Sequence, residues 1–206
     1  MVGSDSSATG SIGSSVSGGG PVCSRIFPST LPMVEYIGMR RGGADTSGRP
    51  PPETAAAANV VERSTVLAAA AVSNGGLPLE SAPPRHIPMY STLGNVDGKI
   101  LEHTGPPPLT ELPMDPIAQL SEPTIGPILD TTARLLGLDE NDFGVTTAPH
   151  STSFRWPATG TGPGGALFRF GVLEGLAHQY PNGTNNPAGF AAAPEFWEFF
   201  RANRLP

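Results

Sequence analysis

The chain has 206 residues and a mass of 21.2 kDa, which is enough for one globular domain of ordinary size. Glycine (26) and proline (24) make up about a quarter of it, so part of the chain is expected to lie outside a packed core. A net charge of −6 supplies no basic field for phosphates, which excludes nucleic acid as an expected partner. The single Cys23 excludes an intramolecular disulfide and a multi-thiolate metal site.

The N-terminal segment differs from the rest in composition. Residues 1–21 are rich in glycine and serine and have no hydrophobic periodicity, which predicts a flexible low-complexity tail before a domain over residues 22–206. The chain shows neither a signal-peptide pattern nor an apolar run long enough to predict a membrane span. It is expected to be soluble, and its compartment and oligomeric state are left open.

Helix and strand patterns alternate along the chain and predict an α/β fold. VCSRIF and LPMVEYIGM are short β-like runs, and the second leads into a glycine-rich turn. Residues 53–71 follow three prolines, are rich in alanine, and predict a helix followed by a buried strand of small residues. The apolar run at residues 87–93 predicts a further buried strand, and the loop after it, GNVDG, contains Asp97.

A second helix is predicted after a proline-rich stretch. Residues 102–123 are dense in proline and are expected to be irregular. In residues 123–137 apolar positions recur three and four apart, which predicts an amphipathic helix that packs on a sheet. Ser121 or Thr124 is the expected N-cap of this helix, and Gly137 its expected end.

The last part of the chain predicts a strand, a loop and a terminal helix. Residues 165–176 alternate in strand fashion and then break into a loop that contains His178. Residues 194–205 begin with proline and predict a helix with a wide aromatic face. Trp197 is expected to be its most important buried side chain, with Phe196, Phe199 and Phe200 beside it.

The segments around Asp97 and His178 carry a family resemblance. LFRFGVLEGLAHQYPNG, followed by APEFWEFFRANRL, resembles the ending of the polyhydroxybutyrate depolymerase and feruloyl-esterase-like branch of the α/β-hydrolases. In that branch a strand leads to Gly-x-x-His-x-x-Pro and then to a Trp-containing final helix. IPMYSTLGNVDGKI resembles the branch's Pro-led strand and Gly-x-x-Asp loop. The resemblance covers residues 66–206 and implies an α/β-hydrolase-like three-layer sandwich.

The resemblance also implies a chemistry, which is hydrolysis of polyester or aromatic esters by a Ser-Asp-His mechanism without a cofactor. It makes His178 the general base and Asp97 the acid that orients it. On the residues alone, two alternatives stay open, a loop histidine without a role and an Asx turn in NVDG. If the resemblance is right, the two side chains lie within about 8 Å of each other, the reach of a direct or water-bridged contact.

The nucleophile is not supplied by the matching motif. The family has its serine in Gly-x-Ser-x-Gly-Gly at a sharp turn between a strand and a helix. Here VEYIGMRRGGA has Gly38, Gly42 and Gly43 at the glycine positions but Arg40 at the serine position, and arginine cannot attack a carbonyl. Ser17 in SVSGGG is the other candidate, although no glycine precedes it at the right spacing and no apolar strand leads into it.

These departures leave several functions open. Only 37 residues precede Gly38, so the resemblance implies a hydrolase fold that is truncated or incomplete on its N-terminal side, or a chain whose N-terminal half has an altered reading frame. The chain is then an impaired ester hydrolase that turns over short p-nitrophenyl esters slowly or not at all. The alternatives are a catalytically inactive homologue that acts as a binding module, and a fragment that folds with a partner.

Other motifs are interpreted as structural. His86, His103 and His150 lack the spacing of metal ligands and are interpreted as solvated loop histidines. Asn182, in the sequence Asn-Gly-Thr, is interpreted as the start of a turn, and Trp156 as a core aromatic residue. No metal is expected.

Overall fold

The computed structural model describes residues 61–63, 65, 67–74 and 79–203, together with the backbone of two strands at 23–25 and 34–37. The predicted tail, residues 1–21, lies outside these residues, as do residues 53–60 of the stretch predicted as a helix followed by a buried strand. Within that stretch residues 61–63 are helical and a buried strand begins at Ala70, as predicted. The described strands are β1 Cys23–Arg25, β2 Val34–Ile37, β3 Ala70–Ser73, β4 Pro88–Gly94, β5 Gly144–Ala148, β6 Ser151–Trp156 and β7 Leu167–Leu173.

The described strands form one seven-stranded mixed sheet in the order β1-β2-β3-β4-β7-β6-β5. The four central strands β2, β3, β4 and β7 are parallel to one another. At one edge β1 pairs antiparallel with β2, and at the other β6 pairs antiparallel with β7 and β5 antiparallel with β6. The longest parallel pairing runs from Pro88 opposite Leu167 to Gly94 opposite Leu173. Because the parallel strands all end at the same end of the sheet, here called the carboxyl end, the segments that follow them meet there.

Helices pack on both faces of the sheet. They are α1 Gly98–Leu101, α2 Pro116–Ser121, α3 Ile125–Leu135 and α4 Ala192–Ala202. Within the described ranges, none of them is long and apolar enough to cross a bilayer. Side chains of β7 alternate between two buried clusters, so that Phe168 and Phe170 join α3 on one face and Leu167 joins α4 on the other. The prediction of an α/β fold is confirmed.

The larger cluster is built around stacked aromatic rings. Trp156 has no exposed surface, and its ring centroid lies 5.3 Å from that of Phe168 and 5.9 Å from that of Phe154. Its indole N–H donates to the backbone carbonyl of Glu140 at 3.0 Å, so the one polar atom of the ring is satisfied. The interpretation of Trp156 as a core residue is confirmed.

The helix predicted over residues 123–137 is confirmed as α3, but its cap differs from the prediction. The Thr124 side chain makes no capping hydrogen bond. Instead, the Glu122 carboxylate accepts from the backbone N–H groups of Thr124 and Ile125, at 2.8 and 2.6 Å. The Glu122 carboxylate thus satisfies donors at the start of the helix and places a favourable charge at its N-terminus. Gly137 ends the helix with a φ of +73°, as predicted.

Two regions have more regular structure than predicted. The proline-rich stretch at residues 102–123 contains α2, which has Pro116 in its first turn and is capped by Asp115, whose carboxylate accepts from the Ala118 N–H at 2.8 Å. Strands β5 and β6 form a hairpin that the hydrophobic pattern does not reveal. Most of β5 is exposed, so it lacks the apolar alternation from which strands are predicted.

The terminal helix is confirmed as α4, but the expected role of Trp197 is wrong. Phe196 has no exposed surface and Phe200 has 3%, whereas Trp197 is 47% exposed. Positions three and four apart share one face of a helix, and residue 197 is rotated by about 100° from residue 196. The stripe that includes residues 192, 196, 199 and 200 faces the sheet, and Trp197 turns away from it.

Truncating the larger ring, that of Trp197, is therefore expected to cost less unfolding free energy than truncating the smaller ring of Phe196. Phe196→Ala should lower the free energy of unfolding by about 3–5 kcal/mol, because it empties a fully enclosed site. Trp197→Ala should cost about 1 kcal/mol or less, because half of that ring is already in water. Urea unfolding followed by circular dichroism measures both, and a greater loss for Trp197→Ala would contradict this packing.

Tyr90 predicts a specific loss of stability in alkali. Its ring packs at 5.2 and 5.4 Å from Phe196 and Phe199. Burial, assisted by the charge of Glu195 and opposed by that of Arg169, raises the pKa of Tyr90 to about 12. The phenol of the unfolded chain ionises near its ordinary pKa of about 10, so the unfolded state binds fewer protons than the native state above that pH.

Between about pH 10 and 12 the wild type should accordingly lose about 1.4 kcal/mol more stability per pH unit than Tyr90→Phe. Below pH 9 the difference in unfolding free energy between the two proteins should be constant. Parallel slopes for wild type and variant across the alkaline range would show that Tyr90 ionises equally in both states.

Candidate active site

Asp97 lies at the carboxyl end of the sheet, on the loop after β4. It is the N-cap of α1, and its Oδ1 accepts from the Lys99 backbone N–H at 3.1 Å. The residue has no exposed surface. The Asx-type capping that the sequence left open as an alternative is therefore present, and the same carboxylate makes a second contact.

That second contact is with His178, on the loop after β7. His178 Nδ1 lies 2.9 Å from Oδ2 and 3.0 Å from Oδ1 of Asp97, and the histidine side chain is 19% exposed. The predicted juxtaposition of Asp97 and His178 is confirmed. Because Nδ1 faces a carboxylate, the proton of a neutral imidazole belongs on Nδ1, and the lone pair is then on Nε2.

The two loops are tied together by their backbones as well as by this pair. The Asn95 N–H donates to the Leu173 carbonyl at 2.9 Å, and the Val96 N–H donates to the Leu176 carbonyl at 3.3 Å. Both bonds join the segment after β4 to the segment after β7. The in-register pairing of these strands thus continues beyond their ends and brings Asp97 and His178 to the same point.

Asn95 is a site residue that sequence reasoning missed. It is fully buried, and its Oδ1 accepts from the Gly175 N–H at 2.7 Å. Its Nδ2 donates to the Glu111 carboxylate at 2.9 Å and to the Leu112 carbonyl at 3.4 Å. In GNVDG an asparagine indicates only a turn; its use as a bridge to residues far along the chain depends on tertiary structure.

Gly94 is required by the close approach of the two loops. A Cβ atom at this position would lie 1.9 Å from the backbone carbonyl oxygen of Leu176, two residues before His178. A side chain here would therefore have to displace the backbone of the His178 loop.

Asn74, which follows β3, brings the His178 loop across the end of the sheet. Its backbone N–H donates to the Thr92 carbonyl at 2.7 Å, and its side-chain Nδ2 donates to the carbonyl of Gln179. The loop that leaves β7 therefore passes over the end of β4 and contacts the end of β3. The neighbour of β3 on its other side is β2.

The other predicted site residues lie outside the described part of the chain. They are Ser17 and the turn formed by Gly38, Arg40, Gly42 and Gly43. Strand β2 ends at Ile37, the residue before Gly38, and runs parallel to β3. The end of β2 thus lies at the carboxyl end of the sheet, where Asp97 and His178 meet.

Of the remaining histidines, His86 is partly buried with its ring against Gly137, so it is not the solvated loop residue that was predicted, whereas His103 and His150 each contact a carboxylate. His103 lies 3.8 Å from Glu102, and His150 Nδ1 lies 2.6 Å from Glu174, with both partners of the second pair 40–50% exposed. Among the residues described, no three His, Cys, Asp or Glu side chains come together as a metal site would require. Asn182 forms the predicted turn, since its Oδ1 accepts from the Thr184 N–H at 2.9 Å.

Comparison of the chain with known protein families, with characterised proteins and with solved structures finds no match. The family resemblance accordingly depends on the motif residues themselves and on the arrangement described above.

Gly94→Ala tests the contact between the two loops. We expect a loss of about 1–3 kcal/mol in unfolding free energy, because the new methyl group must push the Leu176 backbone away. Gly98→Ala, four residues on, is the matched control, since a Cβ there meets no atom within 4 Å. The control should be neutral or slightly stabilising, as alanine favours a helix. Equal urea midpoints for the two variants would contradict the contact.

Proposed function

We propose that the chain is a serine-type carboxylic ester hydrolase of the α/β-hydrolase kind, in which Asp97 and His178 are the acid and the base of the triad. The observation that supports this most directly is the buried Asp97 carboxylate, both oxygens of which face His178 Nδ1. Burying a carboxylate completely costs free energy, and a histidine that is simply solvated would not require a buried partner. The more exposed pairs of His103 and His150 illustrate that difference.

The chemistry follows from the orientation of the imidazole. With Nδ1 held by Asp97, Nε2 accepts the proton of a serine hydroxyl as its oxygen attacks the ester carbonyl. Collapse of the tetrahedral intermediate breaks the bond to the leaving alcohol, which receives that proton. Water then attacks the acyl-enzyme by the same route and releases the acid. The buried carboxylate stabilises the imidazolium in both halves.

The topology supports the same assignment. In this kind of hydrolase the nucleophile follows an earlier strand, and the acid and base follow later strands at the same end of a parallel sheet. Here β2, β4 and β7 precede the glycine-rich turn, Asp97 and His178, in that order. The His178 loop is hydrogen-bonded to Asn74 at the end of β3. Strand β2 is the next strand of the sheet, and neighbouring strands are about 4.8 Å apart.

The identity of the nucleophile determines how active the chain is. Arg40 occupies the serine position of the turn after β2, so we expect slow turnover of polyester or aromatic esters by the wild type. Ser17 is the alternative nucleophile. Arg40 also favours a second function, a catalytically inactive homologue that acts as a binding module, because a guanidinium binds carboxylate and ester oxygens without attacking them.

Replacing Arg40 is the decisive test. Arg40→Ser restores Gly-x-Ser-x-Gly-Gly and should raise the rate of p-nitrophenyl acetate hydrolysis above that of the wild type. A fluorophosphonate probe, followed by peptide mass spectrometry, should then label residue 40. If the wild type is already active and Ser17→Ala abolishes that activity, the nucleophile is Ser17 and the turn after β2 is not the elbow.

In the active background, Asp97→Asn and His178→Gln should each lower kcat by about ten-thousand-fold, because the histidine loses its correct tautomer or is absent. His103→Gln is the matched control and should leave kcat unchanged, since His103 is exposed and lies 3.8 Å from its carboxylate. Hydrolysis that survives in both triad variants, or an absence of turnover and labelling in wild type and Arg40→Ser alike, would contradict the hydrolase assignment. Tight binding of ester-derived carboxylates in the latter case would favour the binding module.

A further inference from the structure

Asn74 combines three features that are individually unfavourable for stability. Its φ of +60° lies in the left-handed region, which residues with a side chain rarely adopt. The residue is only 4% exposed. Its Oδ1 is buried and has no hydrogen-bond partner in the part of the chain that the structure describes. Glycine would remove both the strain and the unpaired oxygen.

The side chain nevertheless makes one specific contact. Its Nδ2 donates to the carbonyl of Gln179, 105 residues away and directly after His178. The backbone N–H of Asn74 is bonded separately, to Thr92 at 2.7 Å, and does not depend on the side chain. The amide group is therefore dispensable for the strand pairing of β3 and β4, and its hydrogen bond joins the end of β3 to the histidine loop.

Two buried asparagines form hydrogen bonds to the His178 loop, one on each side of the histidine. Asn95 holds the Gly175 N–H, before His178, and Asn74 holds the Gln179 carbonyl, after it. The Asp97 carboxylate then contacts the imidazole between these two points. A loop that is fixed at both ends presents its histidine in one orientation, which a base needs in order to transfer a proton efficiently.

We propose that Asn74 is a positioning residue for His178, whose side-chain amide holds the Gln179 peptide so that the imidazole keeps its orientation against Asp97. Strain and an unpaired buried acceptor are retained at functional sites when the local geometry serves the chemistry. The inference deepens the proposed function and rests on it for its activity readout, whereas its readout at the imidazole is independent of turnover.

The test compares Asn74→Gly with Ser73→Ala in the full chain. Asn74→Gly keeps the backbone conformation and the bond to Thr92 but removes the contact to Gln179. Its melting temperature should change little, because relief of the positive φ and of the unpaired oxygen offsets the lost hydrogen bond and the greater freedom of glycine in the unfolded chain. Ser73→Ala, the matched control, removes the neighbouring 3.1 Å bond to Thr92 Oγ1 and should melt lower without affecting His178.

Two measurements report on His178. Long-range proton–nitrogen correlation spectra of 15N-histidine-labelled protein, assigned with His178→Gln, give the imidazole tautomer, and diethyl pyrocarbonate labelling gives its accessibility. In Asn74→Gly we expect a mixed tautomer and labelling about tenfold faster, the factor that one lost hydrogen bond gives to a loop-opening equilibrium. Wild-type behaviour at His178 would overturn the proposal, and so would equal changes at all four histidines.

Esterase activity provides a separate test. Where the wild type or Arg40→Ser hydrolyses p-nitrophenyl acetate, Asn74→Gly in that background should lower kcat with little change in KM, since Asn74 is buried and is proposed to act through His178. An unchanged kcat would overturn the proposal. If no esterase activity exists at all, the ester hydrolase assignment fails, but the tautomer and labelling of His178 still decide whether Asn74 positions it.

Discussion

A carboxylate without exposure to water is stable in a folded protein only when other groups compensate for its lost hydration. Asp97 is such a carboxylate, and its compensation comes from the Lys99 N–H, which is local, and from His178, which is 81 residues farther along the chain. The second contact requires β4 and β7 to be neighbours in one register. The intervening helices and the β5–β6 hairpin must therefore leave and rejoin the sheet without separating those two strands. Placement of the pair is thus the constraint that connects the fold to the candidate site.

The contacts around the pair are more numerous than a solvated loop would need. Gly94 allows the two loops to approach within contact distance of each other's backbones, and Asn95 crosses from one loop to the other. Asn74 extends the arrangement to β3. All three residues lie where the His178 loop meets the end of the sheet, and they connect the loop to the segments after β3 and β4. A base that must accept a proton from a group on another element benefits from such connections, because a misplaced imidazole loses most of its effect.

The layers on the two faces of the sheet have different characters. The α3 side is filled by large aromatic rings such as Trp156 and Phe168, whereas on the other side the small side chains of Ala69 and Ala71 lie in the same cluster as the aromatic rings of α4. Helix α4 follows the His178 loop and its Asn182 turn, and the Ala192 N–H at its start donates to the Pro181 carbonyl at 2.9 Å. The terminal helix is thus joined by its backbone to the segment that contains His178.

Local patterns in the amino-acid sequence predict the strands β1 to β4 and β7 and the helices α3 and α4, because these elements carry apolar periodicity bounded by turn residues. The meeting of Asp97 with His178 was expected from the family resemblance, and it forms only because β4 and β7 pair in register. Tertiary structure decided the rest. Trp197 and Phe196 are adjacent aromatic residues in the sequence, and only the rotation of α4 on the sheet buries one and exposes the other. Strand β5 is largely exposed and has no alternation of apolar and polar residues, so its pairing with β6 could not be predicted from the sequence. Asn74 and Asn95 are ordinary turn residues by local criteria, and they become bridges only because parallel strands bring distant loops within hydrogen-bond reach. Local patterns encode which face of an element is apolar, whereas contacts between loops depend on distances that exist only after the sheet has formed.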